Sequence, residues 1–268
     1  MTKGTTSLSY EPRRRSHRLG RFRSTVADAP HAGSRALSRE ELTARLRQEG
    51  TARYHDLHPF HVAMHEGRLG RAELQRWVIN RYYYQTRIPI KDALIVAKSE
   101  DAAFRRAWLR RIVDHDGAEP GQGGLELWLR LGEALGVERA RLVGLAEVLP
   151  GVRFACDAYV TFVREASLVE AVASSLTEFF APDLMSRRIA AFEQHYAFVD
   201  DRALDYFRAR VPRARRDSSE AIDYVLEHAV TRDVQEACVH ALIRKTQILW
   251  HLLDCVQVPS SPPQACPS

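Results

Sequence analysis

Residues 74–91, Leu-Gln-Arg-Trp-Val-Ile-Asn-Arg-Tyr-Tyr-Tyr-Gln-Thr-Arg-Ile-Pro-Ile-Lys, constrain the fold of this chain more than any other stretch. Leu74, Trp77, Val78 and Ile88 recur at helical spacing and define one apolar face. Arg81, Tyr84 and Gln85 fall on that same face, three and four residues apart. Lys91 follows, flanked at helical spacing by Ile88, Leu94 and Ile95. The spacing predicts a helix whose core side carries two cations, a phenol and an amide. Buried charge is costly unless something meets it. The rest of the chain must supply acids for these groups, or a pocket for an anionic ligand.

Helical periodicity continues on both sides. Order is expected from Ser38-Arg-Glu-Glu41, a capping box that starts a helix ending near Gly50. A His-rich segment, 55–65, joins it to the long helix. The next helix starts at Glu100 or Asp101 and ends at His115-Asp-Gly117, before a Gly-rich loop over 117–124. Further helices are expected near 125–135, 138–146, 152–165, 168–180, 183–195, 201–210, 218–229 and 232–256, with a capping box at Ser167 and Glu170. Pro150-Gly151, Pro182 and Pro212 mark breaks. No strand pattern or internal repeat is found. The expectation is one all-α domain of eight to ten helices over 38–257. Segments 1–37 and 258–268 are read as a disordered basic extension and a disordered Pro- and Ser-rich tail.

The chain's net charge of +5 belongs to that extension. Lys3, Arg13, Arg14, Arg15, Arg18, Arg21, Arg23 and Arg35 there face only Glu11 and Asp28, so the remainder is close to neutral. The body is therefore not a basic nucleic-acid binder. An Arg- and Ser-rich start also fits an organellar transit peptide. No apolar run is long enough for a membrane span and no apolar signal core opens the chain, so a cytoplasmic protein without membrane contact is expected. Cys156, Cys238, Cys255 and Cys266 are widely spaced and read as free thiols in a reducing compartment.

Other helical faces repeat the anomaly. Arg188 aligns with Leu184, Met185, Ala191 and Phe192; Arg210 with Ala203 and Tyr206; Lys245 with Ala241, Leu242, Ile248 and Leu249. Each cation alone fits a snorkelling chain or a structural ion pair equally well. Five of them (Arg81, Lys91, Arg188, Arg210 and Lys245) exceed what Glu178, Asp92 and Asp114 would neutralise, and point to an interior pocket for a small polyanion. Tyr84, Gln85, Tyr159 and Tyr206 would add polar contacts. Glu178 projects from a face of small residues, Ala171, Ser174, Ser175 and Ala181. His115 shares a face with Phe104, Trp108 and Ile112, and the end of its helix favours imidazolium. It reads as a proton-transfer candidate or as a histidine that merely caps the helix.

Rival chemistries are weaker. His55, His58, His61 and His65 are spaced for metal ligation, but Pro59 interrupts a helix before His61 and no Glu-x-x-His pair occurs, so no metal is expected. Nucleophile elbows, Walker loops and dinucleotide fingerprints are absent, and Gly121-Gln-Gly-Gly124 is read as a turn signal only.

Several long strings resemble the pyrroloquinoline-quinone synthase family: 54–61 (Tyr-His-Asp-Leu-His-Pro-Phe-His), 80–85 (Asn-Arg-Tyr-Tyr-Tyr-Gln), 88–92 (Ile-Pro-Ile-Lys-Asp), 114–117 (Asp-His-Asp-Gly), 123–132, 149–159 and 174–178 (Ser-Ser-Leu-Thr-Glu). The resemblance spans about residues 38–256. It implies a compact seven-helix bundle related to haem oxygenase, a homodimer, and an enzyme that uses neither metal nor organic cofactor. The implied reaction closes a ring on an anionic bicyclic quinone tricarboxylate and removes eight electrons, with oxygen as co-substrate and hydrogen peroxide as a product. The resemblance further implies that Arg81, Gln85, Lys91, Arg188 and Lys245 hold the substrate's carboxylates and quinone oxygens, and that His55, Tyr84, Tyr159 and Glu178 line the pocket. His115 would move protons, and Tyr206 and Arg210 would flank the oxygen pocket. Met185 stands there where the family pattern has a histidine, and Arg87 adds a cation where a small or apolar residue is usual. A metal-dependent oxygenase on the same bundle, and a non-catalytic binding protein, are the alternatives.

Overall fold

The stretch 74–91 lies inside a single 27-residue helix in the computed structural model, which describes residues 35–257. Eleven α-helices are present among these residues, with no strand: α1 (Arg39–Arg53), α2 (Pro59–His65), α3 (Arg71–Ala97), α4 (Ala102–Asp116), α5 (Gly123–Ala134), α6 (Arg139–Gly144), α7 (Pro150–Glu165), α8 (Leu168–Ser174), α9 (Ala181–His195), α10 (Asp205–His228) and α11 (Arg232–Gln257). Three of them, α2, α6 and α8, are a turn or two long, which leaves eight principal helices. Short 3-10 turns at His55–Leu57, Ser175–Phe179 and Asp201–Leu204 complete the chain.

Helix α3 is central. It packs against α4, α5 and α7, while α11 lies against α1, α7 and α8, and α10 against α9. Trp77 and Trp128 meet edge to face at 5.1 Å between α3 and α5, and the Trp128 indole N–H donates to the Val78 carbonyl at 3.0 Å. Large aromatics bury much apolar area, and a buried indole needs such an acceptor. No helix is long and apolar enough to cross a membrane among the described residues.

Both expected capping boxes form, at Ser38 with Glu41 and at Ser167 with Glu170. Leu37 is already tied down, since its N–H donates to Gln235 and its carbonyl accepts from the same amide. The expectations for 1–34 and 258–268 fall outside the described residues.

Several boundaries differ from the sequence reading. Helix α1 runs through Gly50 to Arg53, because Gly50 serves a close approach rather than a stop. A Cβ there would lie 2.3 Å from the Phe180 ring. Pro59 does not interrupt a helix; it opens α2, where its missing N–H costs nothing. The His58 ring caps that helix by accepting from the Phe60 N–H at 3.1 Å. Pro212 does not end a helix either. It is exposed, and α10 continues through it because Phe207, Arg210, Ala214, Asp217, Ala221 and Val225 keep one buried face on both sides. Pro89 likewise sits inside α3 and leaves the Gln85 carbonyl without its intrahelical donor. The segment expected as one helix over 168–180 changes to a 3-10 turn at Ser175, which carries Glu178.

Candidate active site

The inward faces of α3, α4, α7, α9, α10 and α11 enclose a cavity with about 680 Å³ of atom-free space, counted to its mouth. Twelve of the thirteen residues singled out from sequence line it: His55, Arg81, Tyr84, Gln85, Lys91, His115, Tyr159, Glu178, Met185, Tyr206, Arg210 and Lys245. Arg188 is the exception. It is buried behind the wall, where its Nη2 donates to His61 Nε2 at 3.1 Å and its guanidinium lies over Trp77 and Phe207 at 5.1 and 5.4 Å.

The cavity is lined by two unlike sets of charges. In one, the cations lack partners. Lys245, only 2% exposed, has its ammonium 3.2 Å from the centre of the Tyr159 ring and 4.4 Å from that of Tyr84. Arg81 stacks on the other contact of Tyr84, at 4.0 Å. Such rings attract cations but satisfy no N–H. Lys245 Nζ, Arg81 Nη1 and both His55 ring nitrogens are buried with no hydrogen-bond partner among the described residues. Burial, then the positive charges of Lys91 and Arg81, push the Lys245 pKa well below its ordinary value. Burial and Arg81 do the same to His55. Arg188 is also lowered, by burial and by Arg81. Buried polar atoms are usually paired, so the N–H groups among these mark a place built for an acceptor that the described residues do not provide.

In the other set the charges are balanced. Lys91 meets Asp92 at 2.6 Å and donates to Ser175 Oγ at 3.0 Å. Burial works against its ammonium, yet Asp92 and Tyr159 together outweigh that and its pKa is raised. Arg210 bonds Glu178 and lies 3.7 Å from Asp217. Asp114 belongs elsewhere, bridging Arg213 and Arg216 outside the cavity. Tyr206 is braced edge-on against Trp128 at 4.7 Å, and burial raises its phenol pKa. Met185, 7% exposed, adds an apolar thioether to the same wall.

His115 sits in the last turn of α4 and its Nδ1 lies 3.0 Å from the Arg111 carbonyl. A carbonyl only accepts, so Nδ1 carries the proton and Nε2 is the basic nitrogen of the neutral ring. The expectation that the helix end favours imidazolium is corrected here. Burial, then Arg210, outweigh the helix end and the nearby acids, and the pKa is lowered. A histidine in that state accepts protons.

Its position depends on the glycines after it. Gly117 closes α4 at φ +87°, and Gly123, at φ +84°, packs so tightly that a Cβ would lie 2.6 Å from the His115 carbonyl oxygen. The Gly-rich loop read as a bare turn thus seats α5 against the end of α4. Asp92, Arg111 and Asp217 were missed as wall residues. Asp92 was weighed only as a neutralising acid, and the arginine and Asp217 carry no motif. Their signal was helical phase: Arg111 and His115 are one turn apart, as are Ile88 and Asp92.

The four histidines of segment 55–65 take separate roles. His58 donates to Asp254 at 3.0 Å, His61 Nδ1 bonds the His55 carbonyl at 2.9 Å, and His65 is pushed down to about 4 by burial and Arg188. No three His, Cys, Asp or Glu side chains are grouped to hold a metal among the described residues.

Residues 43–255 match the model of the TENA/THI-4/PQQC family. The chain belongs to that family. It is 52% identical over 221 residues to the pyrroloquinoline-quinone synthase of Rhizobium meliloti, covering 82% of this chain and 86% of that protein. It is 50% identical to the synthase of Rhizobium rhizogenes, with 82% and 90% covered. A bifunctional coenzyme PQQ synthesis protein C/D of Methylorubrum extorquens is 47% identical over 227 residues, 85% of this chain and 61% of that protein. Among solved structures, a TenA homologue from P. horikoshii superposes with a TM-score of 0.65 at 10% identity, covering 80% of this chain and 97% of that one. A domain with a haem-oxygenase-like fold from Shewanella denitrificans gives 0.62 at 13%, covering 81% and 89%. These structures establish the fold, which is the haem-oxygenase-like bundle expected from sequence.

Proposed function

We propose that this protein is a pyrroloquinoline-quinone synthase acting in the cavity described above. The observation that carries the reading is the set of unpartnered buried N–H groups of Arg81, Lys245 and His55 on one cavity lining, with Arg81 and Lys245 against the Tyr84 ring and Lys245 also against Tyr159. A flat polyanion satisfies all of them: carboxylates accept from the cations while the ring system lies among the phenols. The substrate is the bicyclic quinone tricarboxylate. Its carboxylates bind toward Arg81 and Lys245, with Gln85 and Lys91 on quinone oxygens.

This orientation places the reacting ring toward His115, whose basic Nε2 takes protons as the new ring closes and the ring system is oxidised. Eight electrons pass in all to oxygen, and hydrogen peroxide is a product. Tyr206 and Arg210 bound the space for oxygen, with Met185 beside them. Arg210 stabilises anionic charge as it develops, in a buried site where such interactions are strong. No metal or organic cofactor takes part. Arg188 acts from behind the wall through His61 rather than by touching substrate.

The same reading makes the protein a cytoplasmic homodimer. Sedimentation at micromolar concentration checks the dimer; a monomer at all concentrations contradicts it. The activity is tested by giving purified, chelator-treated protein the precursor under air and following the quinone by absorbance and mass. Product without added metal supports the reading. Bound precursor that is never oxidised makes the protein a binding protein instead.

A further inference from the structure

The cavity wall includes an acid whose charge opposes a polyanion. Asp217 is 3% exposed, and its carboxylate faces three arginines. Arg216 reaches it from outside the cavity at 2.7 Å. Arg111 and Arg210, both on the cavity wall, stand at 3.8 and 3.7 Å. Those last two distances are ion-pair contacts, longer than hydrogen bonds. The Asp217 carboxylate therefore balances the charge of both arginines without bonding either directly, while Arg111 Nη2 donates to the Asp217 main-chain carbonyl and Arg210 Nη2 to Glu178. Arg111 is fixed further by stacking on Trp108 at 3.6 Å, and Trp108 in turn donates to Asp92 at 2.8 Å.

We propose that Asp217 is a positioning residue: its one buried carboxylate, anchored by Arg216, sets the Arg111 and Arg210 guanidiniums on the cavity wall through charge rather than through direct hydrogen bonds to them. The inference rests on the cavity being a polyanion site. Although burial opposes ionisation of Asp217, the arginines outweigh it and hold its pKa below the ordinary value, so the carboxylate is charged at neutral pH.

Through-space electrostatics and positioning predict opposite signs. Removing a negative charge near the ligand should tighten polyanion binding if Asp217 only repels. It should weaken binding if Asp217 holds the arginines in place. The test titrates pyrroloquinoline quinone into wild type, Asp217→Asn, and the charge-balanced Asp217→Asn/Arg216→Gln protein, with melting temperatures and a crystal structure of the double variant. Asp217→Asn is expected to lose stability, since it leaves buried arginines short of a counterion. The double variant should recover much of that loss. It should still bind the quinone roughly ten- to a hundredfold more weakly, the scale seen when outer-layer carboxylates are removed from metal sites. Its Arg111 and Arg210 guanidiniums should be displaced. Binding as tight as wild type or tighter, or guanidiniums that have not moved, overturns the proposal. Should wild type itself fail to bind the quinone, the functional reading falls, and the guanidinium positions still decide the role of Asp217.

Discussion

Replacing Arg81 by methionine separates binding from folding. In the empty cavity Arg81 contributes little to the fold. Among the described residues it gains from the Tyr84 ring at 4.0 Å, worth about 0.5–2 kcal/mol. Against that stands repulsion, since Arg81 depresses the pKa values of Arg188, Lys245 and His55. Methionine keeps the apolar stem and removes the charge. Exchanging buried ionic groups for apolar ones of similar volume is often neutral or stabilising. The melting temperature should therefore hold level or rise. Binding should respond quite differently. Losing one partner of a buried, hydrogen-bonded charge pair costs about 2–5 kcal/mol, roughly 30-fold to several-thousand-fold in Kd. Differential scanning fluorimetry and a pyrroloquinoline-quinone titration on the same sample read both quantities. A variant destabilised by more than about 2 kcal/mol that binds the quinone normally in its native fraction would refute the reasoning, because Arg81 would then be structural.

Three further outcomes follow from the charge states. Because the His115 pKa is lowered from 6.5, the ring is neutral at pH 7, so kcat/KM should fall with acidification only below pH 6.5; an acid limb centred above 6.5 contradicts the assigned base. Lys245 is easier to deprotonate in the empty cavity than beside a carboxylate, so quinone binding should take up a proton, and affinity should weaken as pH rises between the empty and loaded pKa values. Calorimetry in buffers of different ionisation enthalpy measures that uptake, and zero uptake across the alkaline range rules it out. His55, His61 and His65 are all held neutral by burial. The unfolded chain binds their protons from about pH 6.5 downward, so stability should drop on acidification by about 1.4 kcal/mol per pH unit for each titrating histidine. Urea unfolding between pH 7 and 5 shows this, and a flat profile counts against the buried neutral rings.

Much of this site was legible because a helix has a fixed period. Arg81, Tyr84, Gln85 and Lys91 could be assigned to one buried face from spacing alone, and α3 carries them there. Spacing does not say how deep a face lies. Arg188 shares the pattern of Arg210 and Lys245, yet it stops one layer behind the wall, at His61. Nor does spacing reveal which acid meets which base across the bundle. Asp217 sits in a run of arginines, Arg213 to Arg216, that reads as a solvated face. Only the packing of α10 shows that Asp217 turns inward while Pro212 turns out. Prolines and glycines misled for the same reason. Pro212 and Gly50 are local helix breakers, but tertiary contacts decide both positions. Gly50 is required by the Phe180 ring, and the exposed Pro212 is tolerated because the buried face on either side of it stays in phase.

A crystal structure with pyrroloquinoline quinone bound tests the central claim most directly. The account predicts carboxylates within hydrogen-bond distance of Arg81 and Lys245, the rings between Tyr84 and Tyr159, and His115 Nε2 facing the newly closed ring. A quinone bound elsewhere, or seated with its carboxylates turned away from Arg81 and Lys245, would contradict it.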